Sequence, residues 1–225
     1  MKLRYFGHSA FALEDELGRL ILIDPYLDQN PQSMVKSIDV RAEYIVLTHA
    51  HGDHLGDAFA IAKRCEPLFI CVAELAKYVS TKGFRAHSMQ IGGAHDFDFG
   101  RLKLTIAQHG SMTPEGQYAG LAAGVLLFID GKCIYHTGDT GLFLDMKLIG
   151  EMNDVDCMLL PIGDNYTMGI TDAVKALEFV RPKLAIPMHY NTFDVIKTDP
   201  REFQIQAQCL GIKCLIMSSG DEIEL

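Results

Sequence analysis

Apolar residues along this chain come in short runs, each bounded by polar or turn-forming residues. Tyr44-Ile45-Val46-Leu47, Cys157-Met158-Leu159-Leu160 and Pro67-Leu68-Phe69-Ile70-Cys71-Val72 have strand length and read as buried strands. Phe11 to Asp24 reads as a hairpin whose second strand ends in an aspartate. Gly124 to Asp139 reads as another, with Asp130-Gly131 as its turn signal. Helical periodicity is confined to roughly Asp57 to Lys63, Ala73 to Lys82, Leu144 to Met152, Ile170 to Val180 and Pro200 to Leu210. The order of these elements repeats. A hairpin, a strand, a polar loop, a helix, a proline and a further strand occur twice. Asp24 with Asp139, Asp57 with Asp172 and Pro67 with Pro182 share one offset. The halves suggested by this spacing are about 1–115 and 116–225. Pro25 to Val40 is the one long irregular stretch, and it either folds over a cleft as a lid or crosses the surface.

Composition changes this picture little. The chain has 225 residues, 48% hydrophobic and 22% charged, which suits one domain with a sizeable core. The N-terminus lacks an apolar segment of signal-peptide length, and no uncharged apolar stretch is long enough to span a bilayer. Six cysteines are scattered without a close Cys-x-x-Cys pair. They read as small buried hydrophobes in a reducing cytoplasm, with no disulfide frame. The net charge of −9 argues against a nucleic-acid partner, because phosphate binding relies on Lys and Arg. No membrane association is expected, and a homo-oligomer is compatible with the pattern.

The chemistry concentrates in Thr48-His49-Ala50-His51-Gly52-Asp53-His54-Leu55-Gly56-Asp57, between a strand end and a helix start. Imidazole and carboxylate without thiolate suit zinc, manganese, iron or nickel. His49 and His51 are two apart in extended chain and can face one ion. Asp53 and His54 follow a glycine bend and can face a second. Downstream, His109 follows the strand Thr105-Ile106-Ala107. Asp139 sits in a Gly-Asp-Thr turn, and His189 follows Ala185-Ile186-Pro187-Met188.

His-x-His-x-Asp-His after an apolar strand, followed in order by His109, Asp139 and His189, resembles the metal motif of the metallo-β-lactamase superfamily. Gly7-His8-Ser9-Ala10-Phe11, Pro161-Ile162-Gly163 with Tyr166-Thr167-Met168-Gly169, and Met188-His189-Tyr190-Asn191-Thr192-Phe193 resemble, more narrowly, a group of small metal-dependent hydrolases similar to L-ascorbate-6-phosphate lactonase. The resemblance implies an α+β fold, a four-layer αββα sandwich of two similar halves with the site between them. It implies that His49, His51 and His109 bind one ion, that Asp53, His54 and His189 bind a second, and that Asp139 bridges them. The ions would be zinc first, with manganese, nickel or iron as alternatives. Two such ions can lower the pKa of a shared water to about 7, so a bridging hydroxide would attack a small ester, lactone or phosphoester.

Other residues carry weaker signals. Asp53 has a second role open to it, orienting the hydroxide with its free oxygen. His8 is either an active-site residue that binds or protonates the leaving group, or a buried histidine bonded to backbone. Asp164, Asn165, Met168 and Asn191 are the candidates for substrate contact, although some relatives carry Gly-His where this chain has Asp164-Asn165. Asp57 reads first as a helix cap, and His136 as structural. His87 and His95 match no motif. The competing functions are a phosphodiesterase or nuclease of the same fold, a mononuclear iron redox enzyme and a non-catalytic metal-binding protein. The short chain lacks the insertion with which RNA-cleaving relatives grip nucleic acid. All seven ligand positions are filled, which a non-catalytic scaffold does not require.

Overall fold

The computed structural model describes residues 1–225. The chain opens with three antiparallel strands, β1 (Lys2–Gly7), β2 (Ala10–Glu14) and β3 (Leu20–Ile23). Then β4 (Tyr44–Val46) leads into a single helical turn, α1 (Gly52–Leu55), and the helix α2 (Ala58–Cys65). Next come β5 (Leu68–Val72), α3 (Ala73–Thr81) and β6 (Ala86–Met89). The antiparallel run β7 (Ala94–Phe97), β8 (Gly100–Ile106), β9 (Ala123–Ile129) and β10 (Lys132–His136) follows. Last come α4 (Met146–Met152), β11 (Cys157–Pro161), α5 (Ile170–Val180), β12 (Leu184–Met188), α6 (Pro200–Cys209), β13 (Lys213–Cys214) and β14 (Glu222–Glu224).

Two seven-stranded sheets result, in the orders β14-β1-β2-β3-β4-β5-β6 and β13-β12-β11-β10-β9-β8-β7. Period-2 alternation sorts their side chains into layers. Val125, Leu127 and Ile129 of β9 join Leu3, Leu13, Ile21 and Ile45 of the first sheet in the larger apolar cluster. Leu126 on the other face of β9 joins Met158, Leu160 and the α5 and α6 residues Ala173, Leu177 and Phe203 in the smaller one. Ile61 of α2 with Leu75 and Val79 of α3 pack on the first sheet. The order helices, sheet, sheet, helices is the αββα sandwich.

The ladders correct the alignment of the halves. β3 and β4 run parallel in the first sheet, and β10 and β11 in the second: Ile21 pairs with Tyr44, and Ile134 with Cys157. The Asp24 N–H donates to Val46 O, and the Thr137 N–H to Leu159 O. The residue equivalent to Asp24 is therefore Thr137, not Asp139. Leu68 corresponds to Leu184, since each pairs with the strand before it in the same way. That aligns Pro67 with Lys183, so the common offset in the sequence does not survive as a register. The division at 115 also shifts. β7 and β8, residues 94–106, belong to the second sheet, while the C-terminal β14 closes the edge of the first.

The irregular stretch after Asp24 is pinned to the body. Leu27 and Asn30 are buried. The Asp57 carboxylate accepts the N–H groups of Leu27 and Asp28, both at 2.8 Å, and makes no side-chain cap on α2. Asp57 is thus a tether, not the expected cap. Gly56 allows the tether: at φ 42, a Cβ there would lie 2.5 Å from Pro25 O, so only glycine fits.

Candidate metal centre

Every group of the site sits at or just past the end of a strand, between the two sheets. β4 runs out through Leu47 and Thr48, and the chain stays extended to His51 before α1 turns it. Extended chain puts His49 and His51 side by side, and the single turn swings Asp53 and His54 to the other side. His109 follows β8, Asp139 follows β10 and His189 follows β12. His8, Asp24 and His189 hold left-handed backbone, with φ of 56°, 45° and 53°. Strain of this kind, about 1–3 kcal/mol each, persists where the surroundings over-determine it. One such restraint is visible here: the His189 N–H donates to the His8 carbonyl at 2.9 Å.

The ring nitrogens form two sets. His49 Nε2 lies 3.0 Å from His51 Nδ1, and His109 Nε2 lies 3.3 Å from that same Nδ1. His54, His189, Asp53 and His8 form a second group close enough to share an ion. Asp139 Oδ2 stands between the sets, 2.9 Å from His189 Nε2, 3.3 Å from His54 Nε2 and 3.7 Å from His109 Nε2. All seven sequence-predicted ligands therefore converge on one place.

Hydrogen bonds behind the site fix which nitrogen points in. Asp24 Oδ2 takes His54 Nδ1 at 2.7 Å, and Asp24 also accepts the N–H and hydroxyl of Thr48. With Nδ1–H donated backward, Nε2 is the nitrogen that His54 turns toward Asp139. Thr48 Oγ1 lies 3.0 Å from His49 Nδ1 and orients that ring in the same sense. Asp24 was not among the candidates drawn from sequence. Its signal is only a strand-end aspartate ahead of Pro25.

The electrostatics ask for a cation. His54 Nε2 and Asp139 Oδ1 are buried without a hydrogen-bond partner, an arrangement that normally costs free energy. Burial opposes charge on His54, yet the Asp139 and Asp24 carboxylates outweigh it and hold the imidazole well above its ordinary pKa. Burial would raise Asp139, but His189 and His54 hold it well below the usual carboxylate range. Burial and the neighbouring His54 push His49 down, keeping it a neutral donor. His49 and Asp139 are already in the forms that bind a divalent ion, and an ion between Asp139 and His54 would replace the positive charge that the two carboxylates otherwise hold on His54, so the residues fit a metal.

His8 sits behind Asp53. Its side chain is fully buried and lies outside the cleft lining. Its Nε2 meets Asp53 Oδ2 at 3.2 Å and its Nδ1 meets Thr192 Oγ1 at 2.8 Å. Burial, with His189 adjacent, lowers its pKa to about 4, so it is a neutral ring braced against Asp53.

The cleft over the site has a volume of about 480 Å³ and is lined by His51, Asp53, His109, Asp139, Tyr166, His189 and Phe193. The four residues picked for substrate contact do not line it. Met168 is fully buried in the smaller apolar cluster. Asp164 and Asn165 form an exposed left-handed turn, and Asp164 faces a neighbouring hollow with Gly169 and Lys197. Asn191 uses its side chain to accept the Thr198 N–H. Tyr166 and Phe193 line it instead. Both fall inside the stretches that carried the resemblance, but apolarity drew no attention beside polar neighbours. His136 is structural: its Nε2–H donates to Ser9 O, and its Nδ1 accepts the Gly138 N–H.

Residues 19–190 match a family described as a β-lactamase superfamily domain. A UPF0173 metal-dependent hydrolase of Carboxydothermus hydrogenoformans is 48% identical over 227 residues, covering 100% of both chains. Another, from Anoxybacillus flavithermus, is 48% identical over 229 residues with the same coverage. The solved structure of a metallo hydrolase from the hyperthermophilic archaeon Ignicoccus hospitalis superposes with a TM-score of 0.91 at 39% identity. The match covers 100% of this chain and 98% of that one.

Proposed function

The chain belongs to the metallo-β-lactamase superfamily as a metal-dependent hydrolase, and on that premise we propose that it works with two divalent ions on a small ester, lactone or phosphoester. The observation that carries the reading is the position of Asp139 Oδ2, within 3.7 Å of ring nitrogens from both histidine sets. His49, His51 and His109 would hold one ion, Asp53, His54 and His189 the other, and Asp139 both. Bound there, the ions would supply Lewis acidity to the substrate oxygen and lower the pKa of a bound water to about 7. An all-imidazole set and a mixed imidazole–carboxylate set favour zinc, with manganese, nickel or iron as alternatives.

The rest is the work of the chain. Asp24 and Thr48 hold His54 and His49 in the tautomers that ligate. His8 braces Asp53 at Oδ2, leaving the other carboxylate oxygen to orient the attacking water. The apolar sheets behind the site exclude bulk water, which strengthens each of these interactions. Elemental analysis of the metal-saturated protein tests the reading. Two ions per chain are expected. One ion or fewer, with all seven ligands intact, would overturn the two-ion proposal while leaving the family assignment in place.

A further inference from the structure

The cleft lining contains no lysine or arginine. Its ionic groups are the metal-ligand side chains, and its remaining surface is Tyr166 and Phe193. Tyr166 is 55% exposed at the rim of the cleft it lines. The loops that follow His109, Asp139 and His189 each leave an apolar side chain in solvent: Met112, Leu144 and Val195. The lysine nearest in sequence to Phe193 is Lys197, which pairs with Asp194 at 2.7 Å and faces the neighbouring hollow. Ions in the two sets would attract the reacting oxygen. An anionic group elsewhere on the substrate would meet two aromatic rings and the carboxylates of Asp53 and Asp139, and would lose hydration without gaining a partner.

We infer that the substrate is uncharged away from its scissile bond and carries an aromatic or apolar group, seated between Tyr166 and Phe193. This deepens the hydrolase reading and rests on it. Among the ester classes open to the site, it selects neutral carboxylic esters and lactones over phosphoesters. Rings prefer offset or edge-on contact with other rings, so a planar group fits this pair best. The two aromatics are specificity residues. Neither is a candidate metal ligand, and because Phe193 packs edge-on against His8 with ring centroids 5.5 Å apart, metal content is measured alongside turnover in Phe193→Ala.

Two matched probe sets test the inference. The first is binding, read by saturation-transfer NMR on metal-loaded protein. Acetanilide is neutral and aromatic, acetamide lacks the ring, and succinanilate adds a terminal carboxylate. Acetanilide is expected to bind at least about tenfold more tightly than either. Tyr166→Ala should remove about tenfold, the factor that about 1.4 kcal/mol makes. Tyr166→Phe should retain the preference. The second is turnover. The ratio of kcat/KM for phenyl acetate to that for methyl acetate should fall about tenfold in Tyr166→Ala and in Phe193→Ala. Because Tyr166 is exposed, its variants keep the fold, and circular dichroism checks Phe193→Ala. Succinanilate binding as well as acetanilide, with the gain lost in Lys197→Ala, would overturn the inference. So would an unchanged ring preference in Tyr166→Ala, or loss of it in Tyr166→Phe, which would make the hydroxyl the contact. Absence of turnover on both acetates with the binding preference intact would instead count against the hydrolase reading.

Discussion

At the scale of single residues, the site depends on groups that would never touch a substrate. Asp24 is buried and receives His54 Nδ1 at 2.7 Å. Removing such a partner behind a metal ligand typically costs 10–100-fold in affinity. Asp24→Asn should therefore weaken one of the two metal sites by about that factor and spare the other, measured by zinc competition with a chromogenic chelator. Equal affinity in the variant would show that His54 needs no orientation. His8 gives a different expectation. It braces Asp53 from outside the cleft, so His8→Ala should lower kcat/KM alike for good and poor leaving groups. A general acid contributes about 10²–10⁴-fold, most where the leaving group is poor. A defect confined to alkyl esters and absent on phenyl esters would restore the acid role. The cysteines are simpler. Burial raises the thiol pKa of Cys71 and Cys157, and pushes that of Cys214 up to about 12. All six are free, and Cys209 is exposed. An aromatic disulfide reagent should label Cys209 first and reach the buried thiols only after denaturation, because the thiolate is the reactive form.

At the scale of elements, strand ends and the turns after them set the geometry. Gly138 precedes Asp139 at φ 64, and a Cβ there would lie 2.4 Å from Ala123 O. Gly138→Ala forces the turn to open or β9 to move. The expected loss is about 3 kcal/mol. For a chain of this size that lowers Tm by roughly 6–12 °C, read by calorimetry, and it should displace Asp139 and reduce metal retention as well. An unchanged Tm would mean that the turn tolerates a side chain. This scale also shows what the sequence could reveal. α5 was expected over Ile170–Val180 and is found there, because its apolar residues follow helical spacing and Gly169 stands before it. The seven candidate ligands that converge on the cleft were legible because each is an imidazole or carboxylate past a strand end, in the order that the family resemblance implies. Asp24 was not, because a strand-end aspartate looks like any turn aspartate until His54 is seen against it. Met168 misled in the opposite way: it lies on a loop beside the site, but its side chain turns into the core.

At the scale of the whole molecule, two sheets of matching pairing pattern face each other and bring their strand ends to one cleft. Repetition of element order was visible in the sequence. Its register was not, because the stretch from Cys157 to its β12 partner Leu184 is three residues longer than that from Tyr44 to its β5 partner Leu68, which shifts the offset without changing topology. Exchange of edge strands, with β14 closing the first sheet, depends on contacts between chain ends that no local pattern encodes. No helix is long and apolar enough to cross a membrane. In the two-ion proposal Asp139 joins two ions held by side chains from the strand ends of both sheets. Manganese loading followed by electron paramagnetic resonance tests it most directly. Two Mn(II) ions about 3.5–4 Å apart across one carboxylate should give an exchange-coupled spectrum that collapses to isolated-ion lines in Asp139→Ala. An uncoupled six-line Mn(II) signal from the fully loaded wild-type protein would contradict the account.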